Sequence, residues 1–212
     1  SDPYEIKAAV LASKENCDLP ICVTMTFDED GKLLTGATVE AAALMCEGLG
    51  VDAIGFNCGL GPVQVGQLFP QMLEATSLPL IINPNAGLPV QRDGKTCFDV
   101  GPEEYAELMY ELAGKGASIV GGCCGTTPEH IAQMIAKCKT LQPGGTRDCR
   151  LTAVSSYGKA VHLGEGPVII GERINPTGKK RLKEALVNGD LDYVCRLGLE
   201  QIGVGAQILD VN

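Results

Sequence analysis

Short runs of apolar residues alternate with longer mixed segments along most of the chain. The runs are nearly continuous, as in VDAIGFN and PLIIN, and do not alternate apolar with polar positions. Continuous apolar runs are typical of strands buried on both faces of a parallel sheet, and apolar positions three and four apart are typical of helices. The pattern therefore predicts an α/β fold of strand–helix units that repeat about every 25–40 residues.

The first part of the chain carries most of these units. The predicted helices cover Tyr4–Asn16, Thr38–Gly48, Pro62–Ala75, Pro102–Lys115 and Thr127–Lys139. The predicted strands cover Pro20–Phe27, Val51–Asn57, Pro79–Asn83 and Ala117–Gly122. Thr38 is the expected cap of its helix, and Pro84 ends a strand because proline has no N–H to donate to a sheet.

The segment Leu141–Arg150 interrupts this rhythm with proline, two glycines and charges, and is interpreted as a linker. An extended or hairpin-like segment is expected at Leu151–Leu163. A second α/β rhythm follows, with predicted elements at Pro167–Ile174, Lys180–Asn188, Leu191–Gly203 and Ala206–Val211. The predicted domains are 1–140, a linker at 141–165, and 166–212. Because the chain opens on a helix and stops after a strand, we expect an internal piece of a longer protein.

Charge and composition narrow the class of protein. Lys and Arg number 17 against 26 Asp and Glu, a net charge of −9, which argues against nucleic acid or an anionic membrane as the main partner. No apolar run approaches the roughly 20 residues of a membrane span, and no basic-then-apolar start resembles an export signal. The chain also has 10 cysteines. Without an export signal, we expect a cytoplasmic protein whose thiols are mostly reduced.

Three cysteines directly follow predicted strands. Cys123 and Cys124 lie after Ala117–Gly122 in the glycine-rich turn GGCCG, and Cys58 follows Val51–Asn57. In a parallel barrel the carboxyl ends of the strands share one face, where active sites gather. Three thiolates suit Zn²⁺ in a tetrahedral site with one open position. A substrate thiol bound there would be held deprotonated, so the predicted site is catalytic.

Other interpretations of the cysteines stay open at this point. The pair could be buried thiols or a vicinal disulfide, although a reducing cytosol disfavours the disulfide. His130 is expected to lie away from the site, because it belongs to the first turn of the following helix. Asn57, Asn83 and Asn85 are expected around the ligands rather than among them. Core or surface thiols are expected at Cys17, Cys22, Cys46, Cys97, Cys138, Cys149 and Cys195.

Two motifs, GFNCG (Gly55–Gly59) and GGCCGTTPEHI (Gly121–Ile131), resemble the zinc-binding pattern of the homocysteine S-methyltransferase family. The resemblance covers about Ser1–Lys139. It implies the second half of a (β/α)₈ TIM-type barrel, whose zinc is held by Cys58, Cys123 and Cys124 and activates homocysteine.

Two later motifs, GPVIIGERINPTG and ILDVN, resemble the first two strands of a pterin-binding barrel. That resemblance implies methyltetrahydrofolate as a ligand, with four candidate contacts: Asp210, Asn212, Asn175 and Glu172. Asp210 and Asn212 are the stronger pair, since residues two apart on a strand point to one side. The alternatives are a solvated strand end for this pair and a helix-capping turn for Asn175.

Together the resemblances imply an enzyme that transfers a methyl group to the zinc-activated thiol of homocysteine and forms methionine. The methyl group would come from methyltetrahydrofolate through cobalamin, which is expected on another domain or protein because no segment here matches a cobalamin-binding pattern. One alternative is a cobalamin-independent zinc methyltransferase with a betaine or sulfonium donor, against which the pterin-like segment argues. The other is an inactive zinc-binding fragment, favoured for the isolated chain by the missing half-barrel.

Overall fold

The computed structural model describes residues 2–92, 94–143, 149 and 152–212. The chain divides into two compact units. The first unit comprises Ser1–Leu151 and Ser155–Ala160, and the second comprises Thr152–Val154 and Val161–Asn212. The linker predicted at Leu141–Arg150 falls largely outside the described residues.

The first unit contains the predicted helices and strands in the predicted order, together with two further strands. Its helices are α1 (Pro3–Asn16), α2 (Val39–Gly48), α3 (Pro62–Ala75), α4 (Pro102–Gly114) and α5 (Pro128–Cys138). Its strands are β1 (Cys22–Met25), β2 (Ala53–Asn57), β3 (Leu80–Asn83), β4 (Pro89–Arg92), β5 (Lys95–Phe98) and β6 (Ala117–Val120). Proline lies in the first turn of every helix except α2, where the Thr38 hydroxyl accepts from the Ala41 N–H as predicted.

Four of these strands form one parallel sheet in the order β1-β2-β3-β6. Ile54 of β2 pairs with Val23 on one side and Leu80 on the other, so neighbouring strands run in register. All four carboxyl ends therefore meet at one edge, and the loops that leave this edge include both cysteine motifs. A parallel sheet in an α/β fold is thus confirmed, whereas closure into an eight-stranded barrel stays a prediction.

Burial differs between the central and the outer strands of this sheet. β2 and β3 are buried along almost their whole length. The expectation of burial on both faces is wrong for β1 and β6, since Cys22 is exposed and Ile119 is 45% exposed. The reason is position, because each outer strand of the described sheet has a neighbour on one side only.

One element was not predicted from the sequence. Between β3 and α4 the chain forms a two-stranded antiparallel sheet of β4 and β5, with Pro89 opposite Phe98 and Val90 opposite Cys97. Because this hairpin leaves the carboxyl end of β3, it lies on the same side of the sheet as the cysteine motifs.

A second two-stranded sheet, of β7 (Thr152–Ser155) and β8 (Ala160–Leu163), occupies the segment predicted to be extended or hairpin-like. The residues that connect these strands belong to the first unit. Tyr157 donates a hydrogen bond to the Asp2 carboxylate, and its ring lies 4.8 Å from the ring of Tyr4. The Thr38 N–H donates to the Gly158 carbonyl at 3.3 Å. These contacts hold the connecting turn against the N-terminal ends of α1 and α2.

The second unit also contains β9 (Ile170–Ile174), α6 (Lys180–Val187), α7 (Leu191–Gly203) and β10 (Ile208–Val211). β9 and β10 are parallel, with a register shift between Leu209 and Val211. Among the described residues, no helix of either unit combines the length and apolar character needed to cross a membrane.

Candidate metal centre

The sulfur atoms of Cys58, Cys123 and Cys124 lie together at the carboxyl edge of the sheet. Cys58 Sγ is 3.6 Å from Cys124 Sγ, Cys123 Sγ is 3.9 Å from Cys124 Sγ, and all three lie within 4.8 Å of one another. A tetrahedral zinc with Zn–S bonds of about 2.3 Å places its sulfur ligands about 3.8 Å apart. The donor atoms therefore have the identity and the spacing of a zinc site. No other group of three potential ligands this close occurs in the described part of the chain.

The backbone at Cys58 is unusual. Cys58 has φ 55°, and it is the one non-glycine residue with positive φ among the described residues. A left-handed backbone costs a non-glycine residue roughly 1–2 kcal/mol, and such strain persists where the surroundings impose it. Here the Cys58 N–H donates to the Asn83 carbonyl at 3.0 Å, and Gly59 continues the turn with φ 66°. The turn after β2 is thus fixed by the end of β3.

Residues 83–86, which end β3 and follow it, also bind the backbone of the other two cysteines. The Cys123 N–H donates to the Pro84 carbonyl at 2.8 Å, and the Cys124 N–H donates to Oδ1 of Asn85 at 3.1 Å. The Ala86 N–H in turn donates to the Cys124 carbonyl at 2.9 Å. Residues 83–86 therefore bond to all three cysteines, which explains why sulfurs so far apart in sequence converge.

The β4–β5 hairpin packs directly on the cysteine turn. Gly125 has φ 80°, and an ideal Cβ there would lie 2.3 Å from Cγ of Phe98. Only glycine allows both this conformation and this close approach. The hairpin therefore belongs to the surroundings of the site.

The thiols of Cys58 and Cys123 differ in pKa. Burial alone would raise the pKa of Cys58, but hydrogen bonds from the Gly59 N–H, Cys123, Cys124 and Asn85 outweigh it and leave that pKa below its ordinary value. Burial, followed by the hydrogen bonds with Cys58 and Cys124, raises the pKa of Cys123 to about 11. Cys58 therefore ionises before Cys123.

His130 lies outside the sulfur group, as expected. Its Nδ1 accepts from the Thr127 N–H at 3.2 Å, and its Nε2 lies 3.0 Å from the Val100 carbonyl. Because Nδ1 is an acceptor, the ring proton is assigned to Nε2, which donates to Val100. His130 thus caps α5 and ties it to the segment before α4.

The remaining seven cysteines are free thiols outside the group. Cys46 is buried in α2, whereas Cys17, Cys22 and Cys195 are exposed. Cys149 donates to the Glu74 carbonyl at 3.2 Å.

Sequence reasoning missed the contribution of Tyr105, a fully buried residue of α4. Its hydroxyl lies 2.8 Å from the Gly121 carbonyl and 3.3 Å from the Pro84 carbonyl. Burial, and next the charge of Cys123, raise the pKa of this phenol, so the hydroxyl keeps its proton. In sequence Tyr105 looks like any core aromatic on the apolar face of a helix.

In the second unit, two of the predicted pterin contacts lie at the end of β10. Asp210 and Asn212 are both exposed, and the Asn212 N–H donates to the Ile174 carbonyl at 3.1 Å. The carboxyl ends of β9 and β10 are therefore adjacent, and polar side chains line that edge.

The other two predicted contacts have local partners. Glu172 lies 3.4 Å from Lys179 Nζ and 3.5 Å from Arg173 Nε. Asn175 Oδ1 accepts from the Thr177 N–H at 2.9 Å, which closes a turn after β9. Their use for a ligand stays a prediction.

Comparison with known proteins places the chain in a family. A model of the homocysteine S-methyltransferase family matches residues 1–138. The methionine synthase of Mycobacterium leprae (strain TN) is 34% identical over 223 residues, and that of Mycobacterium tuberculosis (strain ATCC 25618 / H37Rv) is 33% identical over 218. Both alignments cover 99% of this chain, which spans 18% of each relative. Since the family match covers about two thirds of the residues, the chain belongs to the homocysteine S-methyltransferase family.

Proposed function

We propose that Cys58, Cys123 and Cys124 bind one Zn²⁺ and that the protein methylates the thiol of homocysteine to form methionine. The observation that carries the proposal is the spacing of the three sulfurs, 3.6 Å and 3.9 Å for the two measured pairs. Zinc bound there would act as a Lewis acid that keeps a fourth, substrate thiol deprotonated at neutral pH. Cys124 is exposed, so the group is open to solvent on one side, as a substrate requires.

The chain's own residues would hold and orient the metal rather than attack the methyl group. The ligand geometry would be fixed by three protein thiolates and by the hydrogen bonds between the cysteines and residues 83–86, of which the Asn85 bond comes from its side chain. The homocysteine sulfur forms the new S–C bond, the bond between the methyl group and its donor breaks, and the thiol proton has already passed to solvent. No protein nucleophile is needed.

For the methyl donor we propose methyltetrahydrofolate acting through cobalamin, which would be carried by a domain or protein outside this chain. The support is that the methionine synthases align with 99% of the chain, well past residue 138 where the family match ends. A single-barrel enzyme with a betaine or sulfonium donor would not need the second unit. Asp210, Asn212, Asn175 and Glu172 are the proposed pterin contacts.

Metal analysis of purified variants tests the zinc proposal. The wild-type chain should contain one zinc, and Cys58→Ser, Cys123→Ser or Cys124→Ser should each lower zinc affinity at least about 100-fold, because a ligand is lost. Cys17→Ser is the matched control, since Cys17 is exposed on the first unit and outside the sulfur group. Full zinc retention in all three ligand variants would contradict the proposal.

Methyltetrahydrofolate titration of the full-length protein tests the second part. Asp210→Ala should weaken binding by about tenfold or more, since a hydrogen bond to a charged group is worth about 1.5–3 kcal/mol. Asp192→Ala is the control, because Asp192 is also an exposed acid of the second unit but lies at the start of α7. Equal affinities for methyltetrahydrofolate in both variants would show that Asp210 is not a pterin contact.

A further inference from the structure

Tyr105 connects the body of α4 to the metal centre. Its side chain has no solvent exposure, and it is among the largest fully buried side chains of the described residues. The single hydroxyl proton is shared between two carbonyls, with the Gly121 oxygen at 2.8 Å and the Pro84 oxygen at 3.3 Å. Both carbonyls belong to the backbone that leaves the sheet towards the cysteines.

The two carbonyls lie where the ligand-bearing loops begin. Pro84 follows β3, and its carbonyl also accepts the Cys123 N–H at 2.8 Å. Gly121 follows β6, and its N–H donates to the Ile82 carbonyl at 3.0 Å. The hydroxyl therefore bridges the carboxyl ends of β3 and β6 at the point from which Cys123 projects.

The position of the hydroxyl is itself fixed. The ring of His130 meets the Tyr105 ring edge-on, with 5.5 Å between centroids and 79° between planes. His130 is held in turn by Thr127 and by the Val100 carbonyl. The phenol ring therefore packs against a side chain that is itself held by hydrogen bonds.

Within the cysteine turn, the N–H and the hydroxyl of Thr126 donate to the Cys123 carbonyl at 3.2 Å and 2.6 Å, which leaves the glycine pair before Cys123 to be held from outside the turn. Gly121 and Gly122 precede Cys123 and carry no side chains that could pack beneath the turn. A glycine pair loses much backbone freedom on ordering, so contacts from outside must hold it. Tyr105 supplies such a contact from a different element.

We propose that Tyr105 is a positioning residue for the metal centre: its hydroxyl fixes the separation of the β3 and β6 ends and thereby the placement of Cys123 and Cys124 relative to Cys58. The inference rests on the zinc site proposed above. Groups that orient metal ligands without touching the metal typically change metal affinity 10–100-fold when they are removed.

The test compares Tyr105→Phe with Tyr110→Phe in the full chain. The first variant keeps the ring and removes the hydroxyl, and the second does the same on α4 at a side chain that is 38% exposed. Zinc affinity is measured by competition with a chromophoric chelator, and site geometry by the visible absorption of the Co²⁺-substituted protein. Tyr105→Phe should weaken zinc binding about 10–100-fold and lower the tetrahedral Co²⁺ bands, whereas Tyr110→Phe should stay within about twofold of wild type.

A merely structural role gives a different result. It would lower the melting temperature of metal-free Tyr105→Phe but leave zinc affinity and the Co²⁺ spectrum of the folded variant at wild-type values, and this outcome overturns the proposal. If Tyr105→Phe does not fold, 4-fluorophenylalanine at position 105 decides, because it fills the volume of the hydroxyl but cannot donate a hydrogen bond. Weakened zinc binding in that folded variant supports the proposal, and wild-type zinc affinity and spectrum overturn it.

The two proposals can fail separately. A wild-type chain that binds no zinc overturns the metal site, and the role of Tyr105 falls with it. A wild-type chain that binds zinc through its three cysteines, with Tyr105→Phe binding equally well, overturns only the inference about Tyr105.

Discussion

Asn85 shows how a single buried side chain supports the cysteine group. It is 4% exposed, and its Oδ1 accepts the Cys124 N–H at 3.1 Å while its side chain also bonds to the Cys58 thiol. Its own N–H donates to the Leu60 carbonyl at 2.9 Å. One amide therefore joins the turns that follow β2 and β6.

Replacing Asn85 with alanine should lower the free energy of unfolding of the metal-free protein by about 1–3 kcal/mol, because the partly buried Cys124 N–H loses its acceptor. Urea denaturation measures this difference. Asn16→Ala is the control, since the Asn16 side chain donates to the Ala12 carbonyl within α1 and is exposed. Equal stability of the two variants would mean that the bond to Cys124 contributes nothing.

Cys46 should make the free energy of unfolding fall as the pH becomes alkaline. Burial raises its pKa from an ordinary value near 9 to about 11 in the folded chain. The folded state thus holds this proton more tightly than the unfolded state, so the contribution is present below pH 9 and is lost as pH rises towards 11. Between these values wild type should lose up to about 2–3 kcal/mol more stability than Cys46→Ala. A Cys46→Ala curve parallel to wild type would contradict the assignment.

The sequence was sufficient to predict which cysteines meet, because strands are recognisable as apolar runs and the ends of parallel strands share one edge. It was not sufficient to predict what holds them. Tyr105 lies 16 residues from Gly121 in sequence, and its hydrogen bond depends on how α4 packs against the sheet. Such contacts leave no periodic signal in the chain.

At the scale of elements, the central strands β2 and β3 approach one another closely at Gly55. An ideal Cβ on Gly55 would lie 1.8 Å from the Ile81 carbonyl oxygen, far inside any real contact. A side chain cannot be placed there unless the two strands separate, and both cysteine-bearing loops depend on their pairing.

Gly55→Ala should therefore destabilise the first unit by more than about 3 kcal/mol, since overpacking here displaces backbone rather than a flexible side chain. Gly114→Ala, at the end of α4, has nothing within 4 Å of the new Cβ and should be neutral or stabilising by up to about 1 kcal/mol. Thermal denaturation of both variants measures the difference. A Gly55→Ala protein as stable as Gly114→Ala would contradict the register of β2 and β3.

Long amphipathic helices were predictable at this scale, and the short antiparallel hairpin was not. Pro89 and the Asp-Gly pair at 93–94 are typical breakers, and no element was predicted between Asn83 and Pro102. The same Asp-Gly pair, flanked by Val90 and Cys97, is also the sequence signal of a tight hairpin turn. The partial exposure of β1 and β6 was missed for a different reason, since edge position depends on topology rather than on the composition of a strand.

For the molecule as a whole, the zinc proposal places every ligand and supporting contact in the first unit. The three cysteines, residues 83–86, Tyr105 and the β4–β5 hairpin all lie within Ser1–Leu151. The α/β class followed from the sequence, whereas barrel closure could not be derived from strands that the described residues do not contain. The chain spans 18% of the length of the methionine synthases it matches.

A fragment of residues 1–160 should consequently bind zinc within about threefold of the affinity of the full chain, since it keeps the first unit together with the turn anchored by Tyr157. A fragment of residues 161–212 should bind none at the same concentration. Chelator competition on both fragments measures this. Loss of zinc binding from the longer fragment would show that the second unit is needed for the site.

The most direct test of the central claim is the number of sulfur ligands on the bound zinc, measured by X-ray absorption with and without homocysteine. Three sulfurs at about 2.3 Å are expected in the resting protein and four after homocysteine is added. Each of Cys58→Ser, Cys123→Ser and Cys124→Ser should lower the number of sulfur ligands on the zinc that stays bound, whereas Cys17→Ser should leave all three. Zinc without sulfur ligands, or three cysteines that stay free in the presence of zinc, would contradict it.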